Sequence, residues 1–585
     1  MKRNFDFNLN VDKKDVLIMV LLSIIFFSAT VINLGATQVP SNSLTIKNTT
    51  TPQIAIIDLK EPVYVSQLCF YIKDCQNTST IKIFTGQPPD NWFESATLVA
   101  GYPFAYMNWN NTDLYQVTQY IRLEFEAPSN IEINEIAILG QDSQIIPIYS
   151  ITSENSALNF NLLVDEQHLV VLPNTYMTET MFDEVYFTRT SEQYLRLQWP
   201  YEWTHPPLGK LIISTGIALF GLNPFGWRIM GVIFGTLMIP IIFLLGKKLF
   251  GSYIGGFSAA FLFTFDFMHF SEARLGITDT YVVFFSLLSH LCFFIYLSNV
   301  VKKGWKSAGV LPLFLSFMFF ALGFSTKWLV LFGFLGGLAI LATLRLLEVV
   351  RNKKDFSTKL YDLFDYPYIY VVAFIIVAIG VYFLTYIPDM FIGRTFVGVV
   401  DLQNSMFSYH AAPIGLDHPY SSPGWSWPII GKPLWLYVST LPAGMRSTIS
   451  LFGNPAVWWV GFASILSITG FCLFKVAVGL RTRIMPKIDV SAMFLMVIFF
   501  AQWLPYAFVS RGLFIYHYYV NVPIICLGSA YFISKYWKYN WMKIVAIVYF
   551  TAVVALFVLF YPVISGTPVS IATSESLRWF NQWVF

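Results

Sequence analysis

The segment MFDEVYFTRTSEQYLRLQWPYEWTHPPLGKL, residues 181–211, decides how the rest of the chain is read. It sets an acid pair, Asp183-Glu184, in a stretch that is otherwise apolar and aromatic. Twenty-two residues after Asp183 comes His205-Pro206-Pro207-Leu208-Gly209-Lys210. The two prolines force an extended entry into whatever helix follows. That helix, Leu208 to Leu222, has only about 15 apolar residues, short for a bilayer. It therefore reads as an interfacial or re-entrant helix on the outer face.

Outward from this segment the chain is dominated by apolar runs. Of 585 residues, 56% are hydrophobic and only 12% charged. Several runs reach the length of about 20 residues that crosses a bilayer. The chain is thus a polytopic α-helical membrane protein. A formal net charge of +3 and the absence of a basic stripe argue against nucleic acid. Five cysteines show neither a CxxC nor metal-ligand spacing with histidine. Cys292, Cys472 and Cys526 sit in apolar runs and read as core. Cys69 and Cys75 share a polar segment, where a local disulfide and two free thiols both stay open.

Basic clusters orient the runs. Lys2, Arg3, Lys13 and Lys14 precede the first one and place the N-terminus in the cytoplasm. Lys247-Lys248, Lys302-Lys303 with Lys306, Arg351 to Lys354, Arg481 to Lys487 and Lys535 to Lys543 mark further cytoplasmic loops. This predicts about eleven spans, near 16–35, 227–246, 252–269, 278–299, 309–326, 328–349, 367–387, 455–477, 489–508, 516–534 and 543–562. Two long segments then lie outside, about 36–226 and 388–454, with the C-terminal tail. The expected organisation is 1–36, N-terminus and first helix; 37–150, an extracytoplasmic domain; 151–226, a catalytic first outer loop; 227–387, helices two to seven; 388–454, a second outer loop; and 455–585, the last four helices and tail.

Residues 37–150 alternate apolar and polar in short runs such as VYVSQLCFYI and YIRLEFEAP, separated by turn-rich stretches such as GQPPDN. That is the pattern of a small antiparallel β-sandwich. Its closing YIRLEFEAPSNIEINEIAILG resembles the end of discoidin-like (F5/8 type C) domains. Sugar binding and a structural or docking role are both open for it. No catalytic motif lies inside, so the insert reads as separable from the chemistry.

Ionisable residues gather at predicted outer helix ends: Arg228, Asp266, His269, Glu272, Arg274, Asp279, Lys327, Arg511 and His517. Single helix-end charges often only snorkel. So many on one face favour a site, and a transporter would place them nearer mid-bilayer.

The acid pair followed by HPPLGK closely resembles the first outer loop of the protein O-mannosyltransferases, which have the GT-C glycosyltransferase fold. Further blocks agree in order: FGWRIMGVIFGTLMIPIIFLLGKKLFG from Phe225, GFSTKWLVLF around Lys327, HPYSSPGWSWP from His418 to Pro428, WLPYAFVSRGLFIYHYYVNVP from Trp503 to Pro523, and YPVISGTPVS near the end. The chain lacks the MIR domain of eukaryotic members, and SEARLGITDT departs from the family's Ser-Arg-Leu-Leu-Asp pattern.

The resemblance implies an inverting transfer of mannose from a dolichyl or polyprenyl phosphate to serine or threonine of exported proteins. Such transfer needs a base for the acceptor hydroxyl and positive charge for the leaving phosphate. Asp183 is the expected base, with Glu184 positioning the acceptor or the loop. An upstream pair, Asp165-Glu166, lacks the proline-flanked context. Arg228 is the first expectation for the donor phosphate, then Lys327, Arg511 and Arg274. His205, Lys210, Asp279, His418, Tyr420 and His517 are expected to position donor or acceptor. For His517, packing in an aromatic cluster is the equal alternative. No cofactor is required and no metal site is evident, although a single carboxylate-bound divalent ion stays open. So do a dimer, a cell-wall polymer or glycolipid as acceptor, and a transporter or receptor with a sugar-binding ectodomain.

Overall fold

The computed structural model describes residues 9–48, 51–75, 77–126, 130–155, 157–351, 357–358, 368–413, 418–482, 489–509 and 511–585. The basic residues Lys2, Arg3, Lys353, Lys354 and Lys487 lie outside the described residues.

Seven helices are long and apolar enough to cross a membrane: Lys13–Val31 (α1), Pro224–Phe250, Asp279–Lys303, Val330–Val349, Pro455–Thr482, Val490–Phe508 and Asn540–Ser565. The other four expected spans also hold helices, but Tyr253–Thr264, Leu311–Phe324, Tyr368–Leu384 and Val522–Tyr536 have only 12, 14, 17 and 15 residues. Leu208–Phe220, read as too short to span, is a helix of 13 residues.

Local chemistry sets the ends of these helices. The helix Pro224–Phe250 starts where the Asn223 side chain accepts from the Gly226 N–H, with Pro224 in its first turn. It ends at Gly251, φ 64°, after Lys247 and Lys248 have met the carbonyl end of the helix dipole. Lys247 pairs with the buried Asp15 at the start of α1. At the other end of the same helix Arg228 donates to the carbonyl of Leu34, just past α1. The two helices therefore run antiparallel, with the basic residues at one end and the 176–228 loop at the other.

The insert is a seven-stranded antiparallel sheet in the order β1-β6-β2-β5-β3-β4, with β7 also on β2. β1 is Leu44–Ile46, β2 Gln53–Cys75, β3 Ser79–Gln87, β4 Asn91–Ala100, β5 Asn108–Glu126, β6 Ile131–Leu139 and β7 Ser150–Ser153. β2 changes partners along its length: Ala55 to Asp58 pair with β7, and Gln67 to Cys75 pair with β6. Register shifts between Asp58 and Gln67 mark the bend. A strand that changes partners at a bulge folds a sheet over on itself. Ala55 and Ile57 from one half and Leu68, Phe70 and Ile72 from the other accordingly share one apolar core. Cys69 and Cys75 are buried and free, so the open question of a disulfide resolves to two thiols.

The insert does not stand apart from the membrane domain but packs on it. Residues 102–109 of the insert pack on the helix α2, Glu184–Leu195, which follows Asp183. The Tyr106 hydroxyl donates to Glu192 at 2.8 Å, Thr180 Oγ1 donates to the Tyr106 carbonyl at 3.2 Å, and Arg189 pairs with Asp74. Trp109, Tyr106 and Met107 belong to the membrane domain's core rather than to that of the sandwich. The sequence hid this because alternation within a strand reports only that a face is covered, not by what.

Candidate active site

Asp183 sits at the N-cap of α2 but makes no capping hydrogen bond with its side chain. The preceding Phe182 adopts φ 51°, a left-handed conformation that a bulky residue rarely takes and that turns the chain sharply at this point. The Asp183 carboxylate accepts no hydrogen bond among the described residues. Burial, opposed by Lys327 and aided by Asp279 and Glu202, raises its pKa to about 6.

Glu184, next in sequence, points into the protein. It is fully buried and takes a two-pronged grip from Arg228, Nε to Oε1 at 2.7 Å and Nη2 to Oε2 at 2.6 Å. The backbone N–H groups of Met181 and Gly276 complete its shell at 3.0 and 2.8 Å. A Cβ on Gly276 would lie 2.8 Å from the Trp227 ring, so glycine is what lets its N–H come so near. The remaining donors of Arg228 reach the carbonyls of Leu34, Tyr176 and Glu179. All five guanidinium N–H groups are thereby spent.

Three groups of side chains surround Asp183. Lys327, in the turn before Val330–Arg351, pairs with Asp279 at 2.6 Å, with the ring of Tyr516 5.3 Å from its Nζ. Glu202 bonds His205 Nδ1 at 3.1 Å and Lys210 Nζ at 2.7 Å. Burial works against its charge, yet Lys210 and His205 hold Glu202 well below the usual carboxylate range. His410, on the helix Phe396–Ala411, links to both flanks. Its Nε2 lies 2.7 Å from the Thr204 carbonyl and its Nδ1 2.9 Å from Arg511 Nη1. A carbonyl can only accept and a guanidinium can only donate, so this network fixes the proton on Nε2. Burial, with His205, Arg511 and Lys327 nearby, pushes His410 down to about 4, so the ring is neutral. The His205 and His410 rings meet edge to face at 5.1 Å. The result is an unspent carboxylate beside Lys327, with Arg511 tied into the same cluster through His410. Glu272 adds a fourth carboxyl to Asp183, Asp279 and Glu202, fully buried, whose two oxygens have no partner among the described residues.

Two family models match this chain in tandem. The model described as dolichyl-phosphate-mannose-protein mannosyltransferase matches residues 221–392. The model for the C-terminal four-transmembrane region of protein-O-mannosyltransferase matches residues 395–583. The chain belongs to the protein O-mannosyltransferase family.

Within this family, the chain is 24% identical over 451 residues to the polyprenol-phosphate-mannose–protein mannosyltransferase of Mycobacterium tuberculosis, spanning 65% of this chain and 80% of that one. To the protein of the same name from Corynebacterium glutamicum it is 26% identical over 438 residues, spanning 65% and 81%. Among solved structures, the protein O-mannosyltransferase Pmt1-Pmt2 complex of S. cerevisiae bound to the sugar donor superposes with a TM-score of 0.56 at 12% identity. It covers 69% of this chain and 89% of that one, and shows a shared fold.

Against this mannosyltransferase framework the expected site residues divide. Asp183, His205, Asp279, Lys327 and Arg511 come together. Arg228 does not face the site: with no exposed surface and no free donor it has nothing left for a phosphate, and its work is to hold Glu184 and the loop. Arg274 is likewise consumed by the carbonyls of Thr30, Ile32, Asn33 and Ser565. Lys210 is 1% exposed and pins Glu202 and the His205 carbonyl. His517 takes its packed alternative, stacked between Trp427 at 5.9 Å and Tyr516 at 4.4 Å. His418 and Tyr420 stand at the rim, His418 exposed with its ring 4.9 Å from Phe514.

Asp165 and Glu166 bond Asn42 and Ser41 near Glu135 on the sandwich side, which leaves the upstream pair structural. His410 and Glu202 were missed by sequence reasoning. Glu202 lies three residues before His205, a signal within reach.

Proposed function

We propose that this protein transfers mannose from a polyprenyl monophosphate carrier to serine or threonine hydroxyls of exported proteins, with Asp183 as the general base. The observation that carries this reading is the unspent Asp183 carboxylate beside Lys327, with Arg511 joined to the same cluster through His410, on a chain of this family. The base takes the acceptor proton as the hydroxyl oxygen attacks the anomeric carbon from the face opposite the phosphate. One in-line displacement inverts that carbon, and the carrier phosphate leaves with the bonding electron pair. Lys327 and Arg511 offset the charge that develops on it. Arg511, braced through the neutral His410, presents a planar fork suited to two phosphate oxygens. Family, fold and relatives' names support the donor and acceptor classes. The test is transfer by the purified protein from polyprenyl-phosphate-mannose to a Ser/Thr-rich peptide. The expected result is a peptide gaining one hexose, and transfer to lipid or glycan acceptors alone would overturn the protein-acceptor reading.

We also infer that the sandwich and site face away from the cytoplasm, because Lys13, Lys14, Lys247 and Lys248 gather at the opposite helix ends. A cysteine introduced at Asn91 or Pro413 should react with an impermeant maleimide in intact cells. Reaction only after permeabilisation would reverse the orientation.

A further inference from the structure

The contact between insert and α2 has a consequence for the acceptor. Arg189, 2% exposed, bonds Asp74 and lies over three rings, Tyr102 at 5.1 Å, Tyr106 at 4.9 Å and Tyr201 at 5.1 Å. This latch fixes residues 102–107 of the insert against α2. Ala105, Tyr106 and Met107 are buried by it, yet Phe104 is held outward and is 64% exposed. Its ring meets the edge of Tyr186 at 6.4 Å. Tyr186 lies three residues after Asp183, on the same face of the first turn. Tyr186 stacks on Tyr201 at 6.1 Å and 15°, and Tyr102 abuts Tyr201 at 5.8 Å. Beyond them Trp203, 37% exposed, meets Tyr409 at 5.8 Å, next to His410. An aromatic strip thus runs from the sandwich to the base and to the helix that braces Arg511.

Building on the function proposed above, we propose that this strip is the acceptor subsite. An extended Ser/Thr segment lies along it, with an apolar or proline side chain beside the acceptor hydroxyl packed on Phe104 and Tyr186. The occupant follows from continuity: whatever rests on Tyr186 is one helical turn from the carboxylate that takes the acceptor's proton. Aromatic rings offer large contact area at low cost in side-chain entropy, and proline and aliphatic side chains suit their faces. Arg189, the charge beneath the Tyr102 and Tyr201 rings, is buried and paired with Asp74, so the ring faces at this end suit neutral Ser/Thr/Pro-rich segments. The insert then takes part in choosing the acceptor, and Phe104 is its specificity residue.

The test compares Phe104→Ala and Phe104→Tyr with the wild type, using a threonine peptide flanked by proline and the same peptide flanked by glycine. For the proline peptide, Phe104→Ala should raise KM by about 10-fold, the loss of a well-packed aromatic contact, while the KM for polyprenyl-phosphate-mannose stays at its wild-type value. Phe104→Tyr should restore the peptide KM. The glycine peptide should bind the wild type and Phe104→Ala alike, because the contact is already gone. A proline-peptide KM within about twofold of wild type in Phe104→Ala would overturn the proposal, as would a parallel rise in the donor KM, which reports a distorted fold. Competition by an oligosaccharide but not by peptide would overturn it in favour of glycan binding. No transfer by the wild type to any peptide would remove the function reading itself, and this subsite with it.

Discussion

Asp183→Asn lowers mannose transfer by at least ~100-fold, the low end of what a positioned general base supplies. The substitution keeps the size of the side chain and removes only the basic carboxylate. No hydrogen bond within the protein is lost, since the carboxylate accepts none among the described residues, so folding and the yield of inserted protein should hold. Donor binding should also survive, because the phosphate is assigned to Lys327 and Arg511. Steady-state transfer with donor and peptide varied separately checks both points. Near-normal turnover in Asp183→Asn with loss in Asp165→Asn would move the base to the upstream pair. The structure gives that pair a different task, tethering Ser41 and Asn42.

Arg228→Ala acts by another route. It leaves Glu184 buried with no counter-charge and frees the carbonyls of Leu34, Tyr176 and Glu179. Breaking one partner out of such a pair costs about 3–5 kcal/mol. The expected result is a sharp loss of folded, detergent-stable protein, with transfer lost in proportion to the folded fraction. Arg228→Lys should fail almost as badly, because one ammonium cannot fill five donor positions in a planar fork. The double variant Glu184→Gln with Arg228→Met should recover part of the stability, since no unpaired charge stays buried. Thermal unfolding in detergent measures all three. A stable Arg228→Ala protein with only a raised donor KM would return Arg228 to the phosphate.

The contrast between these two residues shows what sequence could and could not convey. Asp183 was legible because its neighbours are local: an acid in an apolar stretch, followed by the proline pair that stops and restarts the chain. The sandwich was legible because alternation is a two-residue period that survives without any tertiary information. Arg228 was not. An arginine opening a membrane helix looks the same whether it meets a ligand or, as here, a carboxylate 44 positions away. His410 was invisible for a similar reason, since its partners Arg511 and Thr204 lie 101 and 206 positions away and no proline stands in its helix. The docking of residues 102–109 on α2 likewise depends on a fold in which the segment 151–226 returns beneath the insert that precedes it.

The most direct measurement of the central claim is the pH dependence of single-turnover transfer to a saturating peptide, for the wild type and Asp183→Asn. The raised pKa of Asp183, about 6, places its loss of basicity within an accessible range. Below that pH the carboxyl is protonated and cannot take the acceptor's proton, so the wild-type rate should fall about tenfold per pH unit, and above it the rate should level. Asp183→Asn should show only a low residual rate without that acidic limb. A variant that keeps both the limb and a rate close to wild type would contradict the assignment of Asp183 as the base.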